Sequence, residues 1–188
     1  YWNGKNLGDI ALARAREALA AGFPGVEFLD VFGEKGGLNR YLSPAQLELM
    51  ERECDVAIGT TADCGSCTSW LMRDMVELER RGVPTAAYTA QVFDDDAHWS
   101  AKTFGLPELP IVLVPQPFTN RTPAGIRRMV DDSLPRVIEA LTRTPEPCEV
   151  LPQFSRVNLV ADPELYFEGD GLEAFDRMNA EFVRQGWS

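Results

Sequence analysis

The sequence predicts an α/β protein built on an open, three-layer, mostly parallel sheet of about five strands, flavodoxin-like or Rossmann-like, with a C-terminal extension. Three observations predict it. Short apolar runs alternate with helical patterns from Tyr1 to about Thr142. One run, Pro110-Ile111-Val112-Leu113-Val114-Pro115, is wholly apolar, as befits a strand buried on both faces of a parallel sheet. The loops after the runs, Asn3–Asn6, Gly33–Asn39, Thr60–Cys67, Thr89–Phe93 and Pro115–Thr119, then converge on one edge, where α/β proteins place ligands.

Taken in order, Tyr1-Trp2 is the stub of a first strand, with Asn3-Gly4-Lys5-Asn6 as its turn. Leu7 to Ala21, rich in alanine and leucine, is a helix that Gly22-Phe23-Pro24-Gly25 breaks. Val26–Val31 is the second strand. The glycine-rich Gly33–Asn39 loop lacks the spacing of a dinucleotide fingerprint, so no cofactor is expected from it. Ser43-Pro44-Ala45-Gln46 starts a helix with an N-cap, a first-turn proline and a capping box; the helix runs to about Glu53. Cys54 is read as a core residue at the entry to a strand over Val56–Gly59. A helix follows to about Arg81, ended by Gly82 and Pro84. Thr85–Ala90 is another strand, and Gln91–Thr103 is mixed. The apolar strand at 110–115 leads to a stiff loop, Gln116–Thr119. Thr122-Pro123 then restarts a helix, which Pro135 is expected to kink or interrupt.

Thr144-Pro145-Glu146-Pro147 reads as a domain end, dividing an α/β domain over 1–145 from an extension over 146–188. The extension holds one possible strand, Val157–Val160, and a helix over Glu173–Gln185. It is too small for a core of its own, so it packs on the domain or on a partner.

At 188 residues, 45% hydrophobic and 25% charged, the composition is that of an ordinary soluble globular protein. A net charge of -11 argues against nucleic acid or an anionic membrane as partner, and no apolar run is long enough to span a bilayer. The chain opens without Met, so a preceding segment with a targeting signal is left open. Four cysteines in this length do not make a secreted disulfide scaffold; a reducing, cytoplasmic setting is expected.

The chemistry concentrates at Cys64-Gly65-Ser66-Cys67, where a strand hands over to a helix. Exposed N–H groups at a helix start favour thiolate, the nucleophilic and redox-active form. The alternative is a pair of packed, inert small residues. Gly65 lets backbone N–H groups approach a bound anion. Asp63 opposes thiolate formation by like charge unless it serves as a proton acceptor. Ser66 and Thr68 offer hydroxyls to a ligand, though capping the helix is the expected job of at least one. Thr60 and Thr61 suit a ligand carboxylate or a turn equally. Lys5 sits in the first loop and faces the same cleft, or is a plain surface lysine. His98, the sole histidine, is a candidate acid or base, or an idle exposed imidazole. The adjacent Asp94-Asp95-Asp96 lacks the spaced oxygen ligands of a hard-cation site and reads as an acidic helix start, so no metal is expected. Two mechanisms suit the set. Cys64 attacks an electrophilic carbon, giving a thioether or thioester, and Cys67 resolves it; or the pair cycles between dithiol and disulfide with no carbon substrate.

The stretch Ala62-Asp63-Cys64-Gly65-Ser66-Cys67-Thr68-Ser69-Trp70 resembles the UGSC family, named for a selenocysteine-Gly-Ser-Cys motif in which cysteine often replaces selenocysteine. The resemblance extends through Glu77–Thr85, Gly105–Pro110 and Val114–Pro117, and Asn3-Gly4-Lys5-Asn6 is similar to the family's first loop; it covers about Tyr1 to Thr142. More distantly the chain resembles the selenoprotein B subunit of glycine, sarcosine and betaine reductases. That likeness implies Cys64 in the nucleophilic selenocysteine position and Cys67 in the resolving position. Two departures stand out. Cysteine is a poorer leaving group and weaker reductant than selenocysteine, which weighs against reductive cleavage. Gln116 replaces a histidine common before Pro117, so any acid–base role there is lost or moved to His98. Phe182–Ser188 resembles the opening of a partner protein, which implies a second subunit or fused domain after Ser188. The expected function is therefore that of a cysteine-dependent enzyme subunit in an oligomer. Asn3, Lys5, Thr60, Thr61, Gly65, Ser66, Thr68 and Gln116 bind a small carboxylated substrate near Cys64, Cys67, Asp63 and His98. The alternative is a redox or carrier module without its own substrate.

Overall fold

Ser43 caps the second helix as its sequence dictates. Its Oγ accepts the Gln46 N–H at 3.3 Å, while the Gln46 side chain accepts the Ser43 N–H at 3.1 Å. Such local codes set five α-helices among the described residues of a computed structural model, which describes residues 1–37 and 40–143 with Arg177, Ala180 and Arg184. The elements run α1 (Gly8–Gly22), α2 (Pro44–Glu53), β1 (Ala57–Ala62), α3 (Gly65–Arg80), β2 (Thr85–Ala90), α4 (Asp94–Thr103) after a 3-10 turn over Gln91–Phe93, β3 (Ile111–Val114) and α5 (Pro123–Thr142).

Among the described residues the sheet has three strands in the order β1-β2-β3, all parallel, with Ala57 opposite Thr85 and Ala87 opposite Ile111. The expectation of five strands is corrected. The first two shrink to single parallel bridges, Trp2 to Thr60 and Trp2 to Phe32. Backbone bonds Asn3 N–H to Thr60 O (3.0 Å) and Trp2 N–H to Val31 O (2.9 Å) hold them beside β1. The reason is length. Segment 1–3 offers one bridging residue, so the stretch over 26–30 lies beyond its ladder, and Val26, Phe28 and Leu29 stay exposed.

Side chains alternate across the strands and define two cores. Ala86, Tyr88, Val112 and Val114 pack with Ala11 and Ala15 of α1 and with Ile126, Met129, Val130 and Val137 of α5. On the other face Ala57 and Ala87 meet Leu71, Met72, Met75 and Leu78 of α3, joined by Leu47 and Met50 of α2 and Ala97 and Ala101 of α4. The four α3 residues recur at helical spacing and are wholly buried, each worth about 1.5–3 kcal/mol of transfer free energy. Gly59 lets α3 lie close on β1: a Cβ there would stand 2.8 Å from Leu71 Cδ1 and Met75 Cε. Glu79 ties the far end of α3 to β2, its carboxylate accepting the Thr85 N–H (2.7 Å) and hydroxyl (2.8 Å).

Asp74 sits on the buried side of α3. Its carboxylate accepts the Tyr1 hydroxyl (2.8 Å) and the Leu42 N–H (2.9 Å) and pairs with Arg73 (2.9 Å). Burial outweighs these partners and pushes its carboxyl from the ordinary 3.8 up to about 6. Burial and the Asp74 charge likewise raise the Tyr1 phenol.

Pro135 does not interrupt α5, which runs unbroken for 20 residues. Pro135 and Asp131 lie on the exposed face, so the one carbonyl that loses its N–H partner faces water. The chain divides into two units, Tyr1–Leu151 and Pro152–Ser188. In the second unit, Arg177, Ala180 and Arg184 are helical and exposed. The domain end at Thr144–Pro147, the strand at Val157–Val160, the rest of the helix at Glu173–Gln185 and the rest of the Phe182–Ser188 stretch lie outside the described residues, as do Leu38 and Asn39. Among the described residues no helix is long and apolar enough to cross a membrane.

Candidate functional site

β1 runs on through Thr60, Thr61 and Ala62, all three of which the sequence assigned to the loop. Threonine suits a strand as well as a turn. Here the strand wins because Asn3 pairs with it. The Asn3 amide donates to the Thr61 carbonyl (2.9 Å), and its Oδ1 accepts the Thr61 N–H (3.0 Å). Thr60, Thr61 and Asn3 are buried, and the two threonine hydroxyls contact each other. These three predicted ligand contacts are thus brought together as the frame of the loop, with their polar groups engaged. The Thr60–Thr61 and Gln116–Pro117 bonds are cis.

Asp63 and Cys64 turn the chain into α3. Cys64 is the N-cap, in extended conformation (φ −160°, ψ 163°), and its Sγ accepts the Cys67 N–H at 3.3 Å. This corrects the expectation that Ser66 or Thr68 caps the helix. Ser66 is already inside the first turn, and the Thr68 hydroxyl turns back to donate to the Cys64 carbonyl at 2.7 Å. Cys64 and Cys67 are paired as a disulfide, with Cα atoms 5.4 Å apart, inside the span a disulfide bridges.

The two sulfurs differ in access. Cys67 is wholly buried, its Sγ accepting the Asp63 N–H at 3.3 Å and lying 3.2 Å from the Cys64 carbonyl oxygen. Cys64 is half-buried, ahead of the exposed Gly65 and Ser66, and its Sγ lies 3.8 Å from the Ser66 hydroxyl. A reagent from solvent therefore meets Cys64 first.

Asp63 is a brace between loops. Its Oδ2 accepts the Thr119 hydroxyl (2.6 Å) and N–H (3.1 Å), while its Oδ1 is buried with no hydrogen-bond partner among the described residues. Asn6 donates to the Thr119 carbonyl at 3.0 Å. Three predicted loops, after Trp2, β1 and β3, thus meet at Thr119. Sequence reading missed Asn6 and Thr119 as individuals, although both stand in loops it expected to converge.

A cleft of about 220 Å³ opens beside Gly65, between the start of α3 and α4, lined by Ser69, Asp96, Trp99, Ser100 and Thr103. Trp99, Ser100 and Thr103 were not singled out from the sequence, and Asp96 was read only as part of an acidic helix start; their spacing of three and four residues on α4 was the available signal. His98 is not among the lining residues. It stands exposed on α4, its Nδ1 2.8 Å from the Asp94 carboxylate. Asp94, Asp95 and Asp96 occupy the first turn of α4, as an acidic helix start. Among the described residues no three His, Cys, Asp or Glu side chains gather as a metal site. Gln116 is exposed, its carbonyl accepting from Arg121 at 3.3 Å. Lys5 is half-buried, its carbonyl accepting from the Trp2 indole (2.7 Å) and the Gly8 N–H (3.1 Å).

A parallel α/β domain with a C-x-x-C pair at a strand–helix junction is the class of protein these features define. The chain belongs to the UGSC family, whose model matches residues 1–143. No curated protein matches it, and no solved structure does.

Proposed function

We propose that the chain is the cysteine-bearing subunit of an enzyme that acts on a small, carboxylated substrate. The observation that carries this reading is the unequal access of the paired sulfurs. Cys64, at the tip of the loop and the positive end of α3, is the attacking thiolate. It forms a carbon–sulfur bond and expels a leaving group with its electron pair. Cys67 then attacks the Cys64 sulfur. The carbon–sulfur bond breaks, the carbon keeps the electron pair and takes a proton, and a disulfide forms. A dithiol reductant, supplied by a partner protein, restores both thiols. Asp63, next to Cys64 in the chain and with its Oδ1 buried and without a hydrogen-bond partner among the described residues, is the candidate proton acceptor in this cycle. Gly65 and Ser66, exposed at the helix start, are placed to meet the substrate carboxylate. Asn3, Thr60 and Thr61 act by positioning the loop. The cleft next to Gly65 favours this reading over a pure redox or carrier module, which needs no substrate cavity; the cysteine pair itself suits both.

The sheet order is read as the core of an open, three-layer flavodoxin-like arrangement. The bridges at Trp2 support it, since they place segment 31–33, segment 1–3, β1, β2 and β3 side by side. A cytoplasmic setting and a second subunit or domain complete the proposal.

The division of labour is tested with oxidised glutathione. In the wild type, Cys67 is expected to displace glutathione from Cys64, leaving the internal disulfide. In Cys67→Ser the adduct on Cys64 is expected to persist, read by peptide mass spectrometry. An adduct found on Cys54 instead, or one lost equally fast in both proteins, counts against the assignment.

A further inference from the structure

The chain is acidic, yet one cleft is basic. It holds about 290 Å³ between the loop after β3 and α5, and is bounded by Arg121, Arg128, Asp132 and Arg136 with Pro115 and Met129. Arg128, Asp132 and Arg136 recur every fourth residue, so they form one exposed row along the helix. Arg121 reaches in from the preceding loop. Its Nη2 donates to the carbonyls of Pro115 (3.1 Å) and Gln116 (3.3 Å), while its Nε is buried with no acceptor among the described residues. Gly125 lies against this arginine: a Cβ there would stand 3.7 Å from Arg121 Cβ and 3.2 Å from Thr122 Oγ1.

The neighbouring arginines are engaged. Arg127 pairs with Glu17, and Arg14 with Glu17 and Asp131. Arg128 and Arg136, by contrast, make no ion pair among the described residues, not even with Asp132 between them. Three guanidiniums against one carboxylate leave an excess of positive charge around one cavity, in a protein of net charge -11. Like charges gathered this way gain nothing for the fold. They do match an oxyanion, which a guanidinium fork binds through two parallel hydrogen bonds.

We propose that this cleft binds a small ligand carrying a doubly charged oxyanion group, a phosphate or a dicarboxylate, held by Arg121, Arg128 and Arg136. Asp132 accepts a hydroxyl or ammonium hydrogen from the same ligand. The cavity is of small-molecule size, and the acidic remainder of the surface repels a long polyanion. Pro115 directly follows β3, so the cleft opens near the carboxyl edge of the sheet, on the loop that also carries Thr119. The proposal stands apart from the role of Cys64.

The test is calorimetric titration of the 188-residue chain with inorganic phosphate, pyrophosphate and succinate at fixed ionic strength. Saturable binding of at least one is expected. Phosphate preference assigns a phosphate ester and succinate preference a dicarboxylate; either sustains the site. Arg128→Gln with Arg136→Gln should weaken binding about a hundredfold, roughly tenfold per charged hydrogen-bond partner lost. The paired lysine variants, which keep charge but lose the fork, should fall between. Arg52→Gln, which removes an exposed arginine paired with Glu53, should change it less than about twofold. Cys64→Ser should bind like the wild type, so failure of the thiol reading leaves this result intact. No saturable binding of any of the three, or equal weakening by Arg52→Gln, overturns the proposal.

Discussion

Replacing Cys64 by serine is expected to abolish the dithiol–disulfide couple and, on the proposed enzymatic role, to lower turnover by at least about a thousandfold. The substitution is informative because it spares the fold. Serine is a preferred N-cap, and its hydroxyl accepts the Cys67 N–H where the sulfur does now. The frame of Asn3, Thr60 and Thr61 is untouched. Measured against the reduced wild type, thermal stability should therefore change by no more than about 0.5 kcal/mol, a typical surface-mutation figure. A serine hydroxyl is a far weaker acid than a thiol, so the helix start that favours a thiolate does not yield an alkoxide at neutral pH. Turnover that survives in Cys64→Ser would move the chemistry off this loop.

The second large effect concerns pH. The Asp74 carboxyl is raised by burial from 3.8 to about 6 in the folded chain. Between these values the folded state holds a proton that the unfolded state has released. Stability from this group is complete below about pH 4 and is lost as pH rises through about 6. Asp74→Asn removes that dependence while keeping an acceptor for the Leu42 N–H. The stability difference between asparagine variant and wild type should therefore move in favour of asparagine as pH rises from 4 to 7. The shift of two pKa units corresponds to about 3 kcal/mol. Denaturant melts at pH 4, 5, 6 and 7 measure it. Parallel profiles would mean that Arg73 and Tyr1 offset the burial fully.

The parts of the fold that follow local rules were legible in the sequence. The Ser43–Gln46 capping box, the Thr122 cap and the strand Thr85–Ala90 stand where their residues place them. What escaped depends on partners distant in the chain. Thr60 and Thr61 read as loop because nothing local announces that Asn3, 58 residues away, clasps Thr61. Val26–Val31 has strand character, but segment 1–3, its neighbour among the described residues, is too short to pair along its length. Pro135 breaks a helix by rule, yet its orphaned carbonyl falls on the wet side of α5. At the site, the cysteine spacing identified the reactive loop, and the choice of cap within it did not follow, since propensity favours hydroxyls over a sulfur. His98 drew attention as the sole histidine; beside Asp96 the cleft is lined by serines, a threonine and a tryptophan, which carry no signal until α4 is docked on α3.

The central claim is that Cys64 is an accessible, activated thiol in a site that prefers carboxylates. The direct measurement is alkylation of the reduced chain across pH with iodoacetate and iodoacetamide, read per cysteine by mass spectrometry. Cys54 is the internal reference, because burial raises its thiol pKa. The prediction is that Cys64 reacts well below the ordinary thiol range of roughly 8.5, and faster with iodoacetate than with iodoacetamide relative to Cys54. Cys64 reacting no faster than Cys54 with either reagent would contradict the account.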